Sequence, residues 1–207
     1  MKMIPLVACT AVLLTISARG QEAGDGERFQ FNTPAEWRGE VIKLPPGFAK
    51  DLKWHGTESI RFAPGMFDAD SESFFSYVLV FLLSKDDDLT DKAVKVQVLT
   101  YYQGLASAVM GAGKDVTDAF KLTLQKSKAG EPTSPPADAE KKKITGWTGT
   151  LEWVEPFKTK KGQTLNLEIH LWKNGERPVL YFAVSPQKTD HAIWDEMRKY
   201  RALFQLK

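Results

Sequence analysis

The decapeptide Phe74–Leu83, FFSYVLVFLL, constrains the fold more than any other stretch of the chain. It is apolar at both odd and even positions and rich in aromatic and β-branched residues. Side chains on a strand alternate between two faces, so apolar residues on both need a covering layer on each side. The run is too short to cross a bilayer as a helix, which takes about 20 residues. It therefore predicts a central strand in a sheet covered on both faces.

Helical spacing supplies two covering elements. Ala93, Val96, Leu99, Leu105 and Val109 recur at helical intervals between Asp91 and Met110. The acids Asp86, Asp87, Asp88 and Asp91 suit a helix start, where the macrodipole favours negative charge, and Gly111-Ala112-Gly113 stops the helix. A last helix over Asp190 to Phe204 brings Ile193, Trp194, Met197 and Phe204 to the sheet. The other segments read as strands: Arg38–Leu44, Glu58–Phe62, the alternating Phe120, Leu122 and Leu124, Trp147–Phe157, Thr164–Trp172 and Pro178–Ser185. With Asn174-Gly175 as a two-residue hairpin turn, Leu165 meets Val184, Leu167 meets Phe182 and Ile169 meets Leu180. Trp147 and Trp153 share the apolar parity of their strand and belong to the core. Residues 126–143, polar and proline-bearing, read as a mobile loop within one domain. The fold class is thus α+β: a mainly antiparallel sheet of about six to seven strands flanked by a mid-chain helix and a C-terminal helix.

The first twenty residues give an address. Lys2 precedes the apolar run Ile4–Ile16, and Ser17-Ala18-Arg19-Gly20 places small residues before a cut ahead of Gln21. That is the layout of a secretory signal peptide over residues 1–20, with residues 21–207 as the mature domain. Leu6-Val7-Ala8-Cys9 imitates a lipoprotein box, but most of the apolar region follows Cys9 where a lipobox cysteine would close it. Cys9 is the single cysteine, so cleavage removes disulfides, thiol catalysis and cysteine-ligated zinc from consideration. Lys2 and Arg19 leave as well, which takes Lys+Arg from 28 to 26 against 26 Asp+Glu. A mature charge of zero argues against a nucleic-acid or anionic-membrane partner. The expected location is periplasmic or secreted, with no transmembrane anchor after cleavage.

Thr33-Pro34-Ala35-Glu36-Trp37 behind a leader, a mid-chain helix, a strand meander and a closing helix ending in YRALFQL together resemble the PsbP-like α/β sandwiches. LPPGFA and IRFAPGMF are similar to fixed phrases of an uncharacterised family of exported bacterial proteins. The PsbP-like resemblance implies an accessory or binding module; neither resemblance transfers a functional residue.

The chemistry-bearing motifs are sparse. Asp68, Asp70 and Glu72 alternate like the first ligands of a calcium loop, but Ser73 and Leu79 stand where an EF-hand needs glycine and glutamate. A structural corner at Ala63-Pro64-Gly65 is the expectation, with Arg61 pairing one of the acids. Gly111-Ala112-Gly113-Lys114 lacks the layout of a phosphate loop, and no Gly-x-Ser-x-Gly or His-Glu-x-x-His pattern occurs. Trp37 and Trp54 sit outside regular strands, where packing onto the sheet competes with lining a groove for a carbohydrate or apolar ligand.

One cluster stands out. In the hairpin register above, Glu168 lies opposite Tyr181, and His170 and Trp172 continue along the same face. A turn around Lys160-Lys161-Gly162 brings Glu152 beside Glu168 or His170. Neighbouring carboxylates can split their pKa values and a histidine can pass a proton, so acid–base work is chemically open to this face. An ordinary solvated sheet face with cross-strand pairs is the competing account. Glu152, Glu168, His170, Trp172 and Tyr181 are the candidate ligand-binding residues, with no catalytic residue, metal or cofactor assigned. The functional expectation is a non-enzymatic binding or accessory module of the bacterial envelope with a protein or small-molecule partner. A metal-independent hydrolase on the Glu/His/Tyr face and a carbohydrate-binding module are the alternatives.

Overall fold

A computed structural model describes residues 29–127 and 144–206. The expected signal peptide and residues 128–143 of the expected loop lie outside the described residues. The strands are β1 (Phe29–Gln30), β2 (Gly39–Leu44), β3 (Gly56–Phe62), β4 (Tyr77–Leu83), β5 (Lys121–Lys126), β6 (Thr145–Val154), β7 (Gly162–Asn174), β8 (Arg177–Ser185) and β9 (Gln205–Leu206). The helices are α1 (Asp91–Met110), the single turn α2 (Lys114–Thr117) and α3 (Ala192–Leu203). Seven strands form one antiparallel sheet in the order β2-β3-β4-β8-β7-β6-β5, and β1 pairs with β9 in a separate ribbon. This is the α+β sandwich that the patterning predicts.

β4 sits inside the sheet, and all seven of its residues are buried. Tyr77, Leu79, Phe81 and Leu83 enter the core on the α1 side, while Val78, Val80 and Leu82 enter a second core beneath α3. Full burial of an aliphatic or aromatic side chain stabilises by roughly 1.5–3 kcal/mol. The strand starts later than its apolar run: Phe74–Ser76 complete the preceding loop, and Phe75, at φ 51°, turns its ring into the α1-side core.

α1 runs over the predicted span. The Thr90 hydroxyl accepts the Ala93 N–H at 3.3 Å to cap its start, and Gly111 ends it in the left-handed conformation that glycine adopts at little cost. Its buried side, however, is Val94, Val98, Tyr101, Tyr102 and Ala106. Of the predicted stripe, Leu99 and Leu105 pack half-buried at the edge of this core, while Val96 and Val109 are exposed. Hydrophobic spacing alone fits either stripe; the tyrosine hydroxyls have buried partners on one side only. Tyr101 donates to Glu58 Oε1 at 2.8 Å, and the Tyr102 and Tyr77 hydroxyls are 2.5 Å apart. At Gly104 the helix backbone closes on the β2–β3 connection, where a Cβ would stand 2.5 Å from Phe48 O.

Glu58, on β3, is 1% exposed within this core. Its Oε2 has no hydrogen-bond partner among the described residues. Burial pushes its pKa up to about 8, Tyr101 pulls the other way, and the Glu40 charge on β2 adds to the rise. Glu58 is held as a neutral acid below that pH.

The β7–β8 hairpin keeps the predicted faces but not the predicted pairs. Leu167 lies opposite Val184, Ile169 opposite Phe182 and Leu171 opposite Leu180, with Gly175-Glu176 forming the turn between Asn174 and Arg177. A shift of two residues preserves side-chain parity, so every apolar residue still faces the core. Trp147 and Trp153 are in that core. Trp37 and Trp54 are buried too, Trp37 edge-on to Tyr200 at 4.9 Å and Trp54 donating Nε1–H to Asp88 O at 3.1 Å. Neither lines an open groove.

Candidate functional site

α3 lies across the face that carries Glu168, His170 and Trp172, so this part of the sheet is covered, not solvated. The helix is capped by His191, whose Nδ1 accepts the Ile193 N–H at 3.2 Å. Ile193, Trp194, Met197 and Tyr200 form its buried stripe. Arg198 and Arg201, three residues apart, therefore project from neighbouring positions toward β7.

The two arginines converge on Glu168. Arg198 Nη2 donates to Glu168 Oε1 at 2.6 Å and its Nε donates to the same carboxylate at 3.1 Å, a two-pronged contact. Arg201 Nη1 donates to Glu168 Oε2 at 3.4 Å and to His170 Nδ1 at 3.2 Å. A guanidinium can only donate, so Nδ1 holds a lone pair and the imidazole is neutral with its proton on Nε2. Burial, then the charges of Arg201 and Arg198, pull the His170 pKa down to about 3. Tyr181, opposite His170 on β8, donates its hydroxyl to Met197 O at 3.0 Å, and burial holds its pKa well above the phenol value. Trp172 packs against Phe204 at 6.0 Å, its buried Nε1–H without a hydrogen-bond partner among the described residues.

Glu152 is not part of this cluster. It stands exposed opposite Thr164, whereas Thr148 lies opposite Glu168 and Gly146 opposite His170. The β6–β7 connection is longer than the predicted turn, because the Glu155 carboxylate gathers the N–H groups of Phe157, Lys158 and Thr159 into a closed loop. Those bonds outweigh the upward push of burial and hold the Glu155 pKa below the usual carboxylate range. Sequence reasoning also missed Arg198 and Arg201. Their spacing beside Met197 and Tyr200 in MRKYRAL was the available signal, since a basic residue on a buried helix stripe needs an acid beneath it.

The arrangement locks charge in place. Glu168 accepts from two guanidiniums, His170 Nδ1 is occupied, and the Tyr181 proton is committed to a helix carbonyl. The Asp68, Asp70 and Glu72 loop offers no alternative centre: all three acids are exposed, and Arg61 lies over the Phe31 ring at 4.8 Å and donates to Ile60 O instead of pairing them. Among the described residues no group of three or more His, Cys, Asp or Glu could hold a metal ion. No described helix is long and apolar enough to cross a membrane.

No family model matches the chain. No curated protein matches it either. LpqN, involved in cell envelope biogenesis of Mycobacterium tuberculosis, aligns at 10% identity and a TM-score of 0.32, covering 91% of this chain and 88% of LpqN. The Saccharomyces cerevisiae Ran-binding protein Mog1p aligns at 13% identity and a TM-score of 0.32, covering 80% of this chain and 87% of its own. At such scores these likenesses carry no argument, and the fold rests on its own strand order.

Proposed function

We propose that this protein is an exported, non-enzymatic binding or accessory module of the bacterial cell envelope. One observation carries the reading: the Glu168 carboxylate, the His170 Nδ1 and the Tyr181 hydroxyl, the best acid–base candidates in the chain, are each hydrogen-bonded to α3. In this reading Glu168, His170, Trp172 and Tyr181 fix the helix to the sheet and serve the binding surface indirectly. The burial of Trp37 and Trp54 removes the exposed rings that a carbohydrate-binding module would use. Export is supported by the apolar leader and the cut ahead of Gln21.

The test has two arms. Cell fractionation with intact-mass measurement should find the mature chain outside the cytoplasm, starting near Gln21; a cytoplasmic chain retaining its leader would contradict export. Purified protein should not turn over p-nitrophenyl acetate or butyrate. Turnover that disappears in His170→Asn while the fold persists would overturn the non-enzymatic reading.

A further inference from the structure

We infer that the cleft at one end of the sheet, where β3 begins, β4 ends and β7 turns into β8, binds a small ligand through a phosphate group. The cleft has a volume of about 310 Å³ and is lined by His55, Gly56, Ser84, Lys85, Glu176 and Arg177. The site is shallow and open to solvent, so it suits a small polar headgroup held at the surface.

The ladder brings the side chains together. The β3–β4 pairing continues one residue past Gly56–Leu83, with Ser84 N–H donating to His55 O at 2.9 Å. The β4–β8 register, Leu82 opposite Val179, continues to Ser84 beside Arg177. An imidazole, a hydroxyl and a guanidinium therefore stand on three adjacent strands in one row on one face, with Lys85 next in the chain.

Two of these groups are held in position. The Asp87 carboxylate, 5% exposed, accepts N–H bonds from His55 at 3.0 Å and Ser84 at 3.1 Å. Its other oxygen lies 3.2 Å from His55 Nδ1, which fixes the ring and leaves Nε2 for a ligand. Arg177 Nε and Nη2 donate to the carbonyls of Leu83 and Leu82, each at 3.2 Å, so the guanidinium is anchored beside the row. Gly56, at φ 137°, adds no side chain to the lining.

The chemistry selects the ligand class. Lys85 and Arg177 bring two cations to the lining against Glu176, while the Asp87 carboxylate behind the row is taken up by the His55 and Ser84 N–H groups and the His55 ring. The Ser84 hydroxyl and the Lys85 ammonium can each donate to an acceptor oxygen of a phosphate, and His55, whose Nδ1–H goes to Asp87, can add a third donor at Nε2 only as the imidazolium. The site rests on the reading of this protein as a binding module and gives that module a ligand class.

Isothermal titration of the full mature chain at low salt, with glycerol phosphate, inorganic phosphate and glycerol as the neutral control, tests it. Both phosphates, or the ester alone, should bind, and glycerol should not. Lys85→Ala and His55→Gln should each weaken binding by about 10-fold, as expected for loss of one charge-assisted contact. Glu176→Gln should tighten it, and added salt should weaken it. These side chains are exposed, and thermal melts show whether each variant keeps its fold. Retention on phosphatidic acid vesicles without binding of glycerol phosphate would identify a lipid headgroup as the source. Absence of binding to all three phosphate probes up to about 10 mM, or unchanged affinity in both weakening variants, overturns the site. Either result leaves the non-enzymatic reading standing, because that reading fails only through ester turnover.

Discussion

Glu58 makes the stability of this protein depend on pH on the alkaline side of its ordinary carboxylate range. Its pKa stands at about 8 in the folded chain against an ordinary value of 4.5, so the folded state keeps a proton that the unfolded state has released. Stability is full below the unfolded value, then falls by about 1.4 kcal/mol per pH unit until the folded value is reached. His170 acts in the opposite sense. Its pKa falls from 6.5 to about 3 on folding, so its contribution grows as pH rises between those values. Below pH 6.5 the two slopes offset each other; between pH 6.5 and 8 Glu58 acts alone of the pair, over a range of about 2 kcal/mol. Glu58→Gln removes the titration while keeping an oxygen for the Tyr101 hydroxyl. Urea unfolding followed by tryptophan fluorescence, on parent and variant at several pH values across the window, reads the difference directly. The variant should gain on the parent by roughly 2 kcal/mol from the acid to the alkaline end. Parallel stability curves would show that Glu58 is ionised in the folded state, and would refute the reasoning.

Other substitutions test the packing of the two helices. Glu168→Ala removes the carboxylate that Arg198 and Arg201 share, and should lower the unfolding free energy by about 3 kcal/mol in the same urea assay. Val98→Ala, on the buried side of α1, should cost roughly 2 kcal/mol, whereas Val96→Ala on the exposed side should stay within about 0.5 kcal/mol. Equal costs at the two valines would contradict the observed helix rotation.

The fold was legible where one-dimensional patterns decide it. The doubly apolar run at Phe74–Leu83 demanded layers on both faces, and the alternation in β7 and β8 assigned each side chain to its face. Patterns failed where several arrangements satisfy the same parity. The hairpin moved by two residues because Leu165, Leu167, Ile169 and Leu171 are interchangeable as apolar rungs. α1 turned onto Tyr101 and Tyr102, which read as poor core residues until Glu58 and Tyr77 are seen beneath them. The candidate site was half visible. Glu168, His170, Trp172 and Tyr181 do share a face, but Arg198 and Arg201 come from a helix far along the chain, and Glu155 lengthened the loop that was to deliver Glu152. Local spacing could show that Arg198 and Arg201 flank a buried stripe, but not which acid on the sheet lies beneath them.

The ribbon of β1 and β9 has a mechanical consequence. Phe29 lies opposite Leu206 and Gln30 opposite Gln205, so the start of β1 and the end of β9 stand side by side at one end of the pair. Tension between those two points would load the hydrogen bonds one after another, as in a zipper, instead of shearing them together. Asn32, which donates to Leu203 O at 2.7 Å, would be the next restraint, followed by the Phe31–Phe204 ring contact at 5.1 Å. Beyond those the load passes to α3, where the two-pronged Arg198–Glu168 grip binds the helix to the central strands. A weak clasp thus stands in series with a strong one, and peeling of the terminal ribbon can proceed while the seven-stranded sheet stays closed.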